Sequence, residues 1–305
     1  VTAPMGTLTD VVSEDEGLTY TATFTPTADI EPEGDFFITV ENAGVADLRG
    51  NPGAGTSSGP SYDLETLRPT LIITLDDDLL IVGETMEVTF TFSESVYGFD
   101  NEDITFADGV LTDVSTDDDV VFTAVFTPSN DLEADEIVIT TRDGAVKDDS
   151  GNLIIGTVSS PDFEIDTKNP MLTISLDDLK LLEAEGATIT FEFSEAVMDF
   201  TEEDVIVENG QVGMLATLDN MSFTAVFTPD VEVAAVDNVI SVDGNSYTDL
   251  AGNTGGESSE SESFEINTVI PVITFDALVS NTYGDAPFDL IASASSGLTV
   301  TFESS

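Results

Sequence analysis

The sequence predicts an all-β fold in which similar β-sandwich domains follow one another in an extended array. One observation is a long internal repeat: FTAVFTP at residues 122–128 returns 101 residues later at 223–229, and the related YTATFTP at 20–26 precedes it by 102. A second is the alternation of apolar and polar residues inside the repeated segments, which is typical of half-buried strands. Because a unit of about 100 residues is large enough to bury its own core, each repeat is expected to be a domain.

The strands of each repeat are predicted from this alternation. Residues 86–92 and their copy at 187–193 alternate throughout, and turn signals such as Asp-Gly separate such runs. In the FTAVFTP strand and its counterparts, the residues expected to point inward are Phe122, Ala124 and Phe126, Phe223, Ala225 and Phe227, and Tyr20, Ala22 and Phe24. About seven short strands in about 100 residues indicate an immunoglobulin-like β-sandwich. The chain has no Cys and no Trp, so it lacks the disulfide and tryptophan of antibody domains.

Short proline-bearing linkers divide the chain. We predict a partial repeat at 1–67, complete sandwiches at 68–168 and 169–270, and the truncated start of a different β module at 271–305. Residues 1–67 match only the second part of a repeat, so they are expected to expose a core edge. The chain opens within a repeat and stops after a strand-like run, and we therefore expect it to be a fragment of a longer protein.

The composition excludes several functions. Asp and Glu number 61 against 6 Lys and Arg, a formal net charge of -55, so nucleic acid and anionic lipid are not expected as partners. The chain has no His or Cys, which removes the usual catalytic triads, and we expect no enzymatic activity. No apolar run is long enough to span a bilayer, so we expect no membrane insertion in this segment. The acidity itself fits a solvated surface, carboxylates that await divalent cations, or both.

The repeats resemble the bacterial Ig-like domains that occur in tandem in very large secreted adhesins and other surface proteins. The motifs that carry the resemblance are TLDDD at 74–78, FSE at 92–94, FTAVFTP at 122–128, DTKNP at 166–170 and DLAGN at 249–253. The resemblance implies an extended stalk on a bacterial cell surface, often stiffened by calcium, and it does not imply catalysis.

Residues 271–305 resemble a different family. TYGD at 282–285 and SSGL at 295–298 are similar to the start of an MBG module, another β-rich repeat of bacterial surface proteins.

Acidic residues near the linkers are the candidate metal ligands. With strand order assumed from an immunoglobulin-like sandwich, the junction of the two complete repeats should collect Asp76, Asp77, Asp78 and Asp166 from the upstream domain and Glu195, Asp249 and Asn253 from the downstream domain. Crowded carboxylates repel one another unless a cation or proton intervenes, and calcium binds about 6–8 oxygen ligands. The sequence therefore predicts structural calcium at this junction, with solvated loop tips as the alternative. The preceding junction offers Glu65, Glu94, Asp148 and Asn152.

Together these features predict a structural spacer, or stalk, in a secreted or cell-surface bacterial adhesin. Its partners would be the neighbouring domains of the same chain, and the distal ligand is unknown. The alternative is a carbohydrate- or surface-binding β-sandwich module.

Overall fold

The computed structural model describes residues 1–31, 33–278, 280 and 282–303. It divides into two compact units, Val1–Thr167 and Lys168–Ser305. The regular structure is nearly all β-strand, and the helical pieces within the described ranges are four short 3₁₀ turns: Asn42–Gly44, Asn101–Asp103, Glu202–Asp204 and Gly244–Ser246. None of the helices found there has the length and apolarity needed to cross a membrane.

The partial repeat at the start of the first unit forms two separate strand pairs. Its strands are β1 (Gly6–Val12), β2 (Thr21–Pro26), β3 (Glu33–Glu41) and β4 (Thr56–Leu64). β1 pairs with β2, and β3 pairs with β4. No residue is buried among those described between positions 1 and 68, which agrees with the expected exposure of this piece.

The inward direction predicted for the first strand motif is wrong for two of its three residues. Tyr20 and Ala22 are exposed, and Phe24 is half-buried. Phe24 contacts the ring of Tyr62, with ring centroids 5.4 Å apart. The physical reason is that, in the part of the chain described, β2 pairs only with β1, whereas the same motif at 122–128 also pairs with the strand at 86–92.

The second repeat completes the first unit and is a full sandwich. Its strands are β5 (Leu71–Leu75), β6 (Leu79–Leu80), β7 (Met86–Phe92), β8 (Ile104–Thr105), β9 (Gly109–Leu111), β10 (Ser115–Thr116), β11 (Val121–Pro128), β12 (Glu133–Ile137), β13 (Thr140–Thr141) and β14 (Phe163–Asp166). One sheet has the order β10-β11-β7-β5, with β9 also on β11; the other has the order β12-β14-β6, and β8 pairs with β13. Several strands are only two residues long, which is why they outnumber the expected seven.

The core of this sandwich contains the residues that the alternation predicted. Phe122, Ala124 and Phe126 are buried on β11, and β11 ends at Pro128. The other members of the core come from both sheets and include Leu80, Met86, Val88, Phe90, Phe163 and Ile165. The sandwich therefore buries a core of its own.

The second unit contains the third repeat, with the same plan. Its strands are β15 (Leu172–Leu176), β16 (Lys180–Leu182), β17 (Ala187–Phe193), β18 (Val197–Met198), β19 (Val205–Ile206), β20 (Gly210–Val212), β21 (Ala216–Thr217), β22 (Ser222–Pro229), β23 (Ala234–Asn238), β24 (Ser241–Val242), β25 (Thr248–Asp249), β26 (Ser259–Glu260) and β27 (Phe264–Asn267). The main sheets have the orders β15-β17-β22-β20 and β16-β27-β23. Phe223, Ala225 and Phe227 are buried, as predicted.

The last segment is a small addition to the second unit. β28 (Ile273–Phe275) and β29 (Ala292–Ala294) form an antiparallel pair. No residue described between 271 and 303 is buried. The resemblance of this segment to an MBG module stays a prediction.

Candidate functional site

A five-residue acidic loop at 148–152 forms the base of the site in the first unit. Asp148 Oδ1 accepts a hydrogen bond from the Asn152 amide nitrogen at 2.8 Å, and its Oδ2 accepts one from Asn152 Nδ2, also at 2.8 Å. Gly151 has a φ of 94°, a left-handed backbone conformation that favours glycine. The sequence Asp-x-x-Gly-Asn therefore folds locally into a closed loop around one carboxylate.

This loop occurs once in every repeat. In the copy at 47–51, Asn51 makes the same two bonds to Asp47, at 2.9 and 2.8 Å. In the copy at 249–253, Asn253 makes them to Asp249, both at 2.9 Å. Asp47 is exposed, whereas Asp148 and Asp249 are 3% and 1% exposed.

The first linker, residues 65–70, brings a second carboxylate to the loop of the second repeat. Asn152 Nδ2 donates to Glu65 Oε2 at 2.6 Å, so one amide group binds the carboxylates of both Asp148 and Glu65. Glu65 Oε1 accepts a hydrogen bond from the Leu67 amide at 2.7 Å, which holds the carboxylate against its own linker. The linker and the following domain are thus joined by side-chain contacts.

Glu94, which follows β7, is the third carboxylate of this group. Burial raises the pKa of Glu94 above its ordinary value, and the charges of Asp148 and Glu65 raise it further. Burial also acts to raise the pKa of Asp148, but the side-chain and backbone hydrogen bonds from Asn152 outweigh it and lower the pKa. The three carboxylates, Glu65, Glu94 and Asp148, are called the junction carboxylates below. Their negative charges repel one another, and a bound cation would relieve this repulsion.

In the second unit, Glu195 and Asp249 lie close together. Each offers a carboxylate oxygen, and the two oxygens are within 4.8 Å of each other. Asp249 is on β25 and pairs with Val197 of β18, which fixes its backbone. Asp166 belongs to the first unit, where it is the half-buried last residue of β14. The period of 101 residues makes Asp166, Glu195 and Asp249 the counterparts of Glu65, Glu94 and Asp148.

Asp76, Asp77 and Asp78 do not lie at the position assumed from the sequence. They form the crossover from β5 in one sheet to β6 in the other, and all three are exposed. β6 runs parallel to β14, with Leu80 beside Ile165, and the Asp78 carbonyl accepts the Glu164 amide. The triplet is therefore beside the start of β14, and Asp166 is at its far end.

Two of the crossover carboxylates accept hydrogen bonds from nearby backbone amides. Asp76 Oδ1 accepts a hydrogen bond from the Glu87 amide at 2.7 Å, and Asp77 Oδ1 accepts from the Asp78 amide at 2.8 Å. The assumed strand order was misleading because the first strand of the repeat switches sheets at this triplet and continues to Leu80.

Three linker threonines were missed in the sequence. Thr66, Thr167 and Thr268 are 101 residues apart and follow directly after Glu65, Asp166 and Asn267. Each binds the loop that follows the proline of the FTP motif in its own repeat. Their identical position in three copies is the signal in the sequence that identifies them.

The family of the chain is shown by its repeats. A profile described as bacterial Ig-like domain matches residues 1–64, 65–165 and 166–266, and the chain therefore belongs to this family. The all-β prediction of tandem immunoglobulin-like sandwiches is thus confirmed. The two later matches begin three residues before the domain starts predicted at 68 and 169.

Solved structures give weaker similarities. The chain is 11% identical to FdeC, an Escherichia coli adhesin, over 87% of this chain and 86% of that one, with a TM-score of 0.36. It is 13% identical to invasin, a bacterial integrin-binding protein, over 87% of this chain and 57% of that one, with a TM-score of 0.32. For the adhesin InvE of Yersinia pseudotuberculosis the identity is 15%, the shares are 64% and 58%, and the TM-score is 0.27. No curated protein sequence matches the chain.

Proposed function

We propose that this chain is a stalk segment of a secreted or cell-surface bacterial adhesin, stiffened by calcium where its repeats meet. Its role is to hold a distal binding module away from the cell. Support comes from the family and its three repeats in tandem. It also comes from a short linker whose side chains bind both neighbouring repeats. The formal net charge of -55 keeps such a segment soluble and monomeric.

The observation that carries this proposal is the contact between the first linker and the second repeat. The bond from Asn152 Nδ2 to Glu65 Oε2 spans 87 residues of sequence at 2.6 Å. At the other end, Arg68 Nη1 binds Asp29 Oδ1 of the partial repeat at 2.9 Å. A linker held to both neighbouring domains restricts the angle between them, which is the property that a stalk needs.

The residues present fit a calcium ion. The junction carboxylates and the carbonyl oxygens near them are hard oxygen donors, which calcium prefers. The raised pKa of Glu94 indicates that its charge is not compensated by its neighbours. Glu65, Glu94 and Asp148 would hold the ion at the first junction, where it would neutralise their repulsion. One period later, within the second unit, the corresponding proposed ligands are Glu195, Asp249 and Asn253, whereas Asp76–Asp78 are left out because of their place at the crossover.

Small-angle X-ray scattering of the chain in calcium and in chelator tests the proposed stiffening. We expect a longer maximum dimension and a narrower distance distribution in calcium. A compact particle, or a length that is the same in both solutions, would contradict a calcium-stiffened stalk.

A glycan array tests the alternative role as a carbohydrate-binding module. The spacer proposal predicts no specific binding by residues 68–270. Saturable binding of a defined glycan by this segment would replace the spacer proposal with the binding one.

A further inference from the structure

The hydroxyl group of the linker threonine both donates and accepts a hydrogen bond in each repeat. Thr167 Oγ1 donates to the Ser129 carbonyl at 2.7 Å and accepts from the Leu132 amide at 3.0 Å. The Thr167 amide also donates to the Leu132 carbonyl at 2.7 Å, and the Asp131 amide donates to the Thr167 carbonyl at 3.2 Å. One residue therefore fastens the end of β14 to the loop between β11 and β12.

The other two repeats contain the same arrangement. Thr268 Oγ1 donates to the Asp230 carbonyl at 2.7 Å and accepts from the Val233 amide at 2.9 Å. Thr66 Oγ1 donates to the Thr27 carbonyl at 2.8 Å and accepts from the Ile30 amide at 3.0 Å. Thr167 and Thr268 are only 6% and 3% exposed. The bonds persist in the partial repeat, which has no buried core, so they do not depend on a complete sandwich.

We propose that this threonine is a latch that fixes, without a metal, the direction in which each linker leaves its domain. The physical reason is that the hydroxyl satisfies a donor and an acceptor of a loop that has no strand partner at that point. Threonine is also restricted at χ1 by its branched Cβ, so little side-chain freedom is lost when the latch forms.

The latch also restricts the backbone position of the acidic residue that precedes the threonine. Glu65 and Asp166 directly precede Thr66 and Thr167 in the chain. Fixing the threonine backbone therefore limits the positions that the preceding carboxylate reaches. The inference rests on the proposed stalk only for its biological use, because the latch itself is a property of the linker.

Amide hydrogen exchange of the full chain tests the latch in calcium and in chelator. In Thr167→Val, which keeps the branched shape but lacks the hydroxyl, we expect the Leu132 amide to exchange about tenfold faster in both solutions, since a half-buried donor loses its acceptor. Thr167→Ser restores the hydroxyl and should exchange like the wild type. Thr127→Val, at an exposed position on β11, is the matched control and should leave Leu132 unchanged.

The direction of the linker is measured with spin labels, since the chain has no Cys of its own. Labels at Asp113→Cys and Met171→Cys, both at exposed residues, should give a broader distance distribution in Thr167→Val than in the wild type, also in chelator.

An unchanged distribution, an effect confined to calcium, or a serine variant that behaves like valine would overturn the latch. If Thr167→Val does not fold, the exchange rate of the Val233 amide is measured in Thr268→Val, and the same increase is expected. A failed scattering test of the stalk leaves these exchange rates unaffected, so the two proposals fail separately.

Discussion

At the scale of single residues, the same Asp-x-x-Gly-Asn loop has different surroundings in different repeats. Asp47 and Asp148 make equivalent bonds to Asn51 and Asn152. Asp148 is nevertheless 3% exposed and Asp47 is exposed. The loop of the second repeat has neighbours on two sides: Glu65 of the linker binds Asn152, and Tyr97 of the same repeat pairs with Lys147. These contacts accompany the burial of Asp148.

Asp148→Ala should destabilise the second repeat by about 1–3 kcal/mol, because the half-buried backbone amide of Asn152 loses its acceptor and the side-chain amide of Asn152 keeps only Glu65. Urea unfolding in chelator measures this loss without a contribution from calcium. Asp47→Ala, in the exposed copy of the loop, is the matched control and should have a smaller effect. Equal losses in the two variants would show that the difference in burial between the two loops does not affect stability.

The lowered pKa of Asp148 gives its contribution a pH dependence. The carboxylate binds its proton less readily in the folded state than in the unfolded state. Its stabilisation is therefore present above the ordinary pKa of aspartate and is lost as the pH falls through the lowered value.

The ionised form of Glu94 lowers the stability of the folded state, whereas that of Asp148 raises it. Because burial and neighbouring charges raise its pKa, its ionised form costs stability at neutral pH. In chelator, Glu94→Gln should therefore raise the melting temperature, whereas in calcium it should remove a ligand and reduce the stabilisation by the ion. Thermal unfolding followed by circular dichroism measures both effects. Glu87→Gln, at an exposed residue of β7, removes the same charge and serves as the control.

The pH dependence provides a second check on Glu94. In chelator, the advantage of Glu94→Gln over the wild type should shrink as the pH falls through the raised pKa of Glu94 and be absent below the ordinary pKa of glutamate, where the side chain is neutral in the folded and the unfolded states. A shift of the same sign and size in calcium and chelator would exclude Glu94 as a calcium ligand.

At the scale of secondary-structure elements, β11 and its copy β22 lie in the middle of the main sheets of the two complete sandwiches. β11 pairs with β7, β9 and β10. The ring of Phe126 is fully buried and contacts Phe106 and Phe163, with centroids 5.9 and 5.5 Å away. The strand therefore connects its own sheet to the opposite one through aromatic contacts.

Phe126→Ala should destabilise the second repeat by about 3–5 kcal/mol, through lost burial and the cavity left behind. Urea unfolding monitored by circular dichroism measures the change. Phe24→Ala, at the corresponding half-buried position of β2, should cost clearly less because water already reaches that ring. A similar cost at both positions would contradict the difference in packing between the partial and complete repeats.

The elements with strong alternation were predictable from the sequence, and the crossovers were not. β11 and β22 were predictable because each has apolar residues on one face and a proline at its end. The place of Asp76–Asp78 was not, because it depends on the parallel pairing of β6 with β14, between residues about 85 positions apart. The group formed by Glu65, Glu94 and Asp148 was partly predictable from the repeat, since its members recur at one period.

At the scale of the whole molecule, the two complete repeats fold on their own cores and the linkers carry the specific interactions. The second and third repeats bury separate clusters of apolar residues. The contacts at the first linker are polar and involve few side chains. The core contacts and the linker contacts are therefore formed by different sets of residues.

The central claim is that the junction carboxylates bind calcium, and calorimetric titration of the whole chain tests it most directly. The double variant Glu65→Gln/Glu94→Gln should bind one calcium ion fewer than the wild type. The control Asp117→Asn/Asp119→Asn removes the same charge from the hairpin between β10 and β11 and should bind as many ions as the wild type. An unchanged number of bound ions in the junction variant, or no binding by the wild type, would contradict the account.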